Sequence, residues 1–409
     1  MTPMLPPLSG AAISQSTLDN VQTQAGTVTA SQTLNVVDVS DSTVGATTAT
    51  GNSISGAVQY GSFNVQSTQS LTAAVSATTS LTPAPNVAAN TGTQTSISTA
   101  ATGNSGDAES VEAGPLTGTV TQTIGAGGSV TGATTITAPN AQTGAVSGSV
   151  QSLGNDQGIE VSDTSATMTV NQTNGGATLA TGGISLNYTP GAATLTATSV
   201  SNNITGTGQG AASQTLTLNQ TSSGQSVSEQ DAYIGDGQAI TGQATSTGNN
   251  ISVSNTNGGL SVVESQTNTG YIQAQAQVSG YEYGSGEADA YAVANSALVG
   301  NVGPSLSLTN TQSNTGSFTG DGVVANATYS GTGSPGYDAY ANATVMGNAV
   351  TGFACSDCNG TLAVSNSQTN SVNLAANATI DLAASNRSVS GTATAVGNNA
   401  TFYVSKPSH

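Results

Sequence analysis

Positive charge is almost missing from this chain. Arg387 and Lys406 are its two cations in 409 residues, against 20 acids, for a formal net charge of −18 at pH 7. Without a Lys/Arg footprint nothing can displace counterions from phosphate, so nucleic acid is excluded as a partner and anionic membrane surfaces are disfavoured. The one histidine is His409, which excludes a His-based nucleophilic triad. Solenoid enzymes that cleave polysaccharides line a cleft with acids and bases together, and two cations cannot furnish that cleft. A bare pair of carboxylates, enough for a glycosidase, is the hydrolytic option that counting leaves open. Trp is absent and Phe occurs four times, so the interior must be thin and filled by small side chains. No run approaches the ~20 apolar residues of a membrane-spanning helix. The opening MTPMLPPLSGAAIS has neither the basic region nor the apolar run of a secretory signal, so no export signal is visible.

What is present is Ala, Gly, Ser, Thr, Asn and Gln, with 5% charged residues against roughly 25% in an ordinary soluble protein. So polar a chain suggests disorder, but disordered chains are rich in charge and poor in β-branched residues. Here Val, Ile and Thr recur at alternate positions, the period of a strand with one buried face. The stretch VVESQTNTGYIQAQAQV at residues 262–278 shows the pattern best. An apolar run leads into Gln266-Thr-Asn, a polar turn follows, and Ile272, Ala274, Ala276 and Val278 alternate with polar neighbours. The same box stands at Gln172, Gln220, Gln312 and Gln368, with weaker copies at Gln22, Gln69 and Gln122. A second box, an Ala/Thr/Val run ending in Gly-Asn or a variant, stands at Asn52, Asn104, Asn155, Asn202, Asn249, Asn295, Asn348 and Asn398.

Spacing makes these boxes a repeat. From each Asn to the next Gln the distance is 17 or 18 residues, widening to 20 between Asn348 and Gln368. The return distance varies from 29 to 36. A fixed short spacing and an elastic long one describe a structural unit with variable loops on one side. The expected fold is all-β, an elongated β-solenoid or β-helix of about eight repeats of 46–56 residues spanning 15–405. Residues 1–14 form an N-terminal arm and 406–409 a tail. The boxed Gln and Asn side chains are expected to stack as ladders from rung to rung. Two rungs per repeat would give a rod on the order of 75 Å, whereas one broad rung per repeat would give a shorter, fatter body. Inserted loops fall at 83–90, 103–116 and 331–340.

No catalytic residue and no metal centre stands out. Asp236-Gly237, Asp321-Gly322 and the cluster Glu282, Glu287, Asp289 supply hard oxygen ligands that a structural calcium ion could use. These acids do not recur at the repeat period, however, and turns with solvated acids account for them. Cys355 and Cys358 form a C-x-x-C without the strand–helix context of a redox motif or the two further ligands of a zinc site. They read as a short disulfide pinning the inserted turn that stretches one interval to 20, and hence as a sign of an oxidising compartment. Matches to Asn-X-Ser/Thr are expected by chance in this composition. Tyrosines concentrate between Tyr271 and Tyr340. Tyr281, Tyr283 and Tyr291, in SGYEYGSGEADAY, are candidates for stacking on sugar rings, although Tyr is also an ordinary strand residue.

The Gln-Thr-Asn and Gly-Asn boxes, the low charge and the ending GNNATFYVSKP resemble the holdfast attachment protein D family of stalked and budding alphaproteobacteria. Asn and Gln at ladder positions also resemble the curlin repeats of functional amyloid, to which another holdfast anchor component is related. The resemblance implies a non-enzymatic surface protein at the cell pole. It would tie an adhesive exopolysaccharide to the outer membrane together with sister holdfast anchor proteins, in a multi-protein or homo-oligomeric assembly. An open solenoid end invites strand addition, so the terminal repeats around Gln22 and Asn398 are candidate docking surfaces.

Overall fold

A computed structural model of the chain describes residues 14–83, 90–112, 114–142, 144–281, 284–316, 322–332, 336–355 and 360–405. Most of the expected N-terminal arm and the 406–409 tail lie outside these residues. Every regular element among the described residues is a strand. The first coil consists of β1 (Ser14–Gln24), β2 (Val28–Val36) and β3 (Ser42–Gln59), and the second of β4 (Gly61–Leu71), β5 (Ala74–Pro83) and β6 (Gln94–Val111). β1 pairs with β4, β2 with β5 and β3 with β6, all parallel. The pattern continues along the chain, and the strands carrying the Gln box form one eight-stranded sheet ending at Thr361–Asn370. The body is thus an all-β solenoid of stacked parallel sheets.

Partners in neighbouring rungs are separated by 46 residues at the shortest and 56 at the longest. One repeat therefore makes one broad rung. Eight rungs at a spacing of ~4.8 Å stack to only ~34 Å. An 18-residue strand such as β3 spans ~60 Å across the rung at about 3.3 Å per residue.

The alternation of the sequence becomes columns of like residues. Leu34, Leu81, Ile136, Ile184, Ala232, Val278, Tyr329 and Ile380 follow one another up the stack. Tyr329 fits this thin interior because Gly286 faces its ring: a Cβ there would lie 1.9 Å from it. Two apolar cores run the length of the stack. One packs the column just named against the first halves of the long strands, through Ile97, Val146, Leu195 and Ile240. The other packs the second halves of the long strands, through Ile159, Ile204 and Ile251, against the Gln-box strands through Leu116, Met168 and Leu216.

The Gly-Asn box is where a long strand passes from one core to the other. In β6, Thr95, Ile97, Thr99 and Ala101 point inward, Gly103 and Asn104 are both buried, and Gly106 and Ala108 continue inward on the shifted phase. The ladder skips the glycine: Thr50 pairs with Thr102 and Asn52 with Asn104, leaving Gly51 and Gly103 out. This is one extra residue per strand, repeated in register, so each half of the strand keeps an inward face. Eight residues after each of the first five box Asn residues the chain turns sharply with φ near +60°, at Tyr60 (61°), Glu112 (57°), Asp163 (52°), Gly210 (62°) and Asn257 (61°). The N–H groups of Tyr60, Glu112 and Asp163 bond to the carbonyls of Val111, Ser162 and Gln209 one rung on, which carries the register through the corner.

A Cβ at Gly103 would lie 2.6 Å from the Gly154 carbonyl oxygen and 2.9 Å from both Ile124 Cδ1 and Val130 Cγ2. Ser201 and Ala294 occupy the same column, so a small side chain can be absorbed and a branched one cannot. Gly103→Val is expected to lower stability by about 1–3 kcal/mol and Gly103→Ser by much less, measured by denaturant unfolding.

Candidate functional site

The boxed amides form two columns between the apolar cores, and their hydrogen bonds run in opposite directions. Each Gln Nε2 donates to the Oε1 of the preceding rung: Gln69 to Gln22, Gln122 to Gln69, Gln172 to Gln122, Gln220 to Gln172, Gln266 to Gln220, Gln312 to Gln266 and Gln368 to Gln312, at 2.7 to 2.9 Å. Each Asn Nδ2 donates to the Oδ1 of the following rung: Asn52 to Asn104, Asn104 to Asn155, Asn155 to Asn202, Asn202 to Asn249, Asn249 to Asn295, Asn295 to Asn348 and Asn348 to Asn398, at 2.7 to 2.8 Å.

The second N–H of each amide clasps the opposite strand. Gln172 and Gln220 donate to the carbonyls of Asn203 and Asn250, one residue past the box Asn. Asn155 and Asn202 donate to the carbonyls of Thr173 and Thr221, one residue past the box Gln. Between the first and last rungs these side chains are buried, and Gln266 is 0% exposed. Full hydrogen bonding is what makes such polar burial affordable. A third column was missed in the sequence although its letters were in the box: Asn268 donates to Asn314 and Asn314 to Asn370, from the last position of Gln-Thr-Asn and its variants. A fourth, of hydroxyls, joins Thr47, Thr79, Thr99 and Thr134 in the early rungs.

Glu264 interrupts this order. It stands between Leu218 and Asn310 in an inward column, and neither of its carboxyl oxygens has a partner. Burial pushes its pKa up to about 8, so the acid is largely neutral at pH 7. The Oδ1 of Asn310 on the neighbouring rung also lacks a donor, and the hydrogen of a neutral carboxyl is of the kind it lacks.

The tyrosine candidates separate. Tyr281 is 59% exposed and lines a groove of about 290 Å³ with Tyr233, Ser279, Ser330, Thr332 and Ala383. A second groove, of about 320 Å³, is lined by Tyr188, Pro190, Asp236, Gln238 and Tyr337 among others. Tyr291 is not at either groove. It lies half-buried in the strand Ser285–Asn301, its hydroxyl donating to Met346 Sδ at 3.6 Å, with burial raising its pKa. Tyr283 lies outside the described residues. Tyr188, Tyr233 and Tyr337 are groove residues that sequence reasoning passed over; only the register of neighbouring rungs assembles them.

Glu282 and Asp321 also lie outside the described residues. Glu287 and Asp289 sit side by side, and burial together with the neighbouring charge of Asp289 raises the Glu287 pKa. Asn342 donates to Asp289 at 2.8 Å. Among the described residues no three His, Cys, Asp or Glu converge as metal ligands. Cys355 is buried and disulfide-bonded. Cys358 lies outside the described residues, and Gly360 N–H donates to the Cys355 carbonyl at 3.0 Å.

The family model of holdfast attachment protein D matches residues 8–85 and 37–317, most of the chain. The chain belongs to the holdfast attachment protein D family. Membership gives it a part in holdfast attachment and a place at the cell surface. The family is described by attachment and not by a reaction. No curated protein and no solved structure matches the chain.

Two outcomes follow from this geometry. Asn202→Ala strands the Asn155 amide, the Thr221 carbonyl and Asn249 in the interior. At ~1–3 kcal/mol per orphaned group it should cost about 3–6 kcal/mol in denaturant unfolding, against about 1 kcal/mol for Gln368→Ala at the open end. Because the pKa of Glu264 is higher folded than unfolded, the folded state holds the extra proton. Its stability contribution is complete below the unfolded value of about 4.5 and is lost as pH rises to about 8. The loss amounts to roughly 5 kcal/mol. Glu264→Gln should flatten the fall of Tm over that window.

Proposed function

We propose that this protein is a non-enzymatic anchor that ties an adhesive exopolysaccharide to the outer membrane at the cell pole, together with sister holdfast anchor proteins. The observation that carries this reading is the family match over residues 8–317, joined to a body whose parts all serve rigidity. Ladders of backbone and side-chain hydrogen bonds cross every rung, and the Gln and Asn columns use only neutral amides. A stack of this kind distributes shear over many parallel bonds at once, which suits a tether under flow.

The polysaccharide contact is assigned to the exposed groove of Tyr233 and Tyr281. Two aromatic rings flanked by Ser279, Ser330 and Thr332 offer apolar faces for sugar rings and hydroxyls for their edges. The family's attachment role favours binding over cleavage.

Cells lacking the gene should shed their adhesive polysaccharide into the medium, and the full chain should restore its retention. Tyr233→Ala with Tyr281→Ala should fold normally and restore retention only weakly. Full retention by that double variant would move the contact elsewhere, and shortening of the polysaccharide on incubation with purified protein would replace the anchor by an enzyme.

A further inference from the structure

We propose that the chain stacks head-to-tail with further copies of itself, the last coil of one copy seating on the first coil of the next so that the ladders run through the junction. The inference is independent of the polysaccharide contact, and either can fail without the other.

The two ends of the solenoid are chemically complementary. At the N-terminal end Gln22 uses one N–H on the Ser53 carbonyl and has one left, while Asn52 Oδ1 accepts nothing among the described residues. At the C-terminal end Gln368 Oε1 accepts nothing among the described residues, and Asn398 accepts from Asn348 with its own N–H groups unspent. One end lacks a Gln acceptor and an Asn donor, and the other end has both. A third pair obeys the same rule: Asn20 donates to Ser67 and leaves its oxygen open, and Asn366 accepts from Asn310 and leaves its N–H groups open. The opposite senses of the two main ladders are what create this polarity. Two like ends would set donor on donor, so only head-to-tail contact satisfies all three columns.

The coils also superpose. Gln22 to Asn52 is 30 residues, and Gln368 to Asn398 is 30 residues. The edge strands, without an outer partner among the described residues, have 11, 9 and 18 residues at one end and 10, 9 and 18 at the other. With Gln368 over Gln22, the internal register brings Val364 over Leu18, Ile380 over Leu34 and Leu382 over Val36, so these three apolar columns continue across the junction.

Charge points the same way. Arg387, one of the chain's two cations, belongs to the last coil, whereas the first coil holds Asp19, Asp38 and Asp41 with no base. In the junction register Arg387 falls over Asp41. Arg387 already holds Asp338 with its Nε at 2.9 Å and remains 63% exposed. Open parallel edges with matching donors, apolar columns and charges are the conditions for edge-to-edge growth.

The test uses the purified full chain at high micromolar concentration and low salt, followed by sedimentation and electron microscopy. The wild type should form linear stacks, growing more slowly at 1 M salt where the Debye length falls to ~3 Å. Leu18→Asp blocks the N-terminal end and Val364→Asp the C-terminal end, so each alone should remain monomeric. An equimolar mixture of the two retains one good junction and should give dimers and nothing larger. Asp41→Arg, on an exposed residue, should slow wild-type growth at least fivefold at low salt. A wild type that stays monomeric, stacks that persist in either blocked variant, or Asp41→Arg growing at the wild-type rate would each overturn the proposal.

Discussion

Parallel, in-register stacking is the constraint from which the other properties of this protein follow. It sets residue upon equivalent residue every ~4.8 Å, so each inward position must tolerate a copy of itself, or something close to it, as a neighbour. Amides tolerate this best, because each is donor and acceptor at once. Small aliphatic side chains come next, and charges come last. The scarcity of charge is thus a structural requirement before it is a compositional trait. A repeated acid would form a column of like charges one rung apart, and like charges directly opposite are destabilising. The acids are scattered instead. Asp289 lies between Gln243 and Asn342, and Asp231 between Gly183 and Gln277. Glu109 over Glu160 is a like-charge exception on the outer face.

Much of this was legible because a stacking constraint writes itself into spacing. The alternation of Val, Ile and Thr gave the all-β class, and the distances between Asn and Gln boxes gave the repeat and the positions of the two main ladders. What spacing left open was the number of rungs per repeat. Both arithmetics use the same alternation, and the single broad rung is chosen by the parallel pairing of β1 with β4, which depends on corners whose residue type varies. Tyr60, Glu112, Asp163, Gly210 and Asn257 share one backbone conformation and no side-chain chemistry, so no motif announces the turn.

The grooves were less legible than the ladders for a related reason. Tyr188, Tyr233, Tyr281 and Tyr337 belong to four different coils and do not occupy one column. Their neighbourhood exists only after rungs have stacked with loops of unequal length. Tyr291 looked equivalent to Tyr281 in sequence because both lie in the same tyrosine-rich stretch. They fall on different surfaces, and Tyr291 is half-buried against Met346. Glu264 was invisible for the opposite reason: a single acid inside an apolar alternation reads as a polar residue facing water, whereas its register puts it under Leu218.

The opposed directions of the Gln and Asn columns have an electrostatic consequence. In an α-helix every peptide dipole adds to the last, and the ends accumulate partial charge. Here one column of amide dipoles points toward the first coil and the other toward the last, at nearly equal numbers, so their sums cancel. The two main ladders thus give the solenoid chemically distinct ends without a macrodipole of their own, and lengthening them together does not build one.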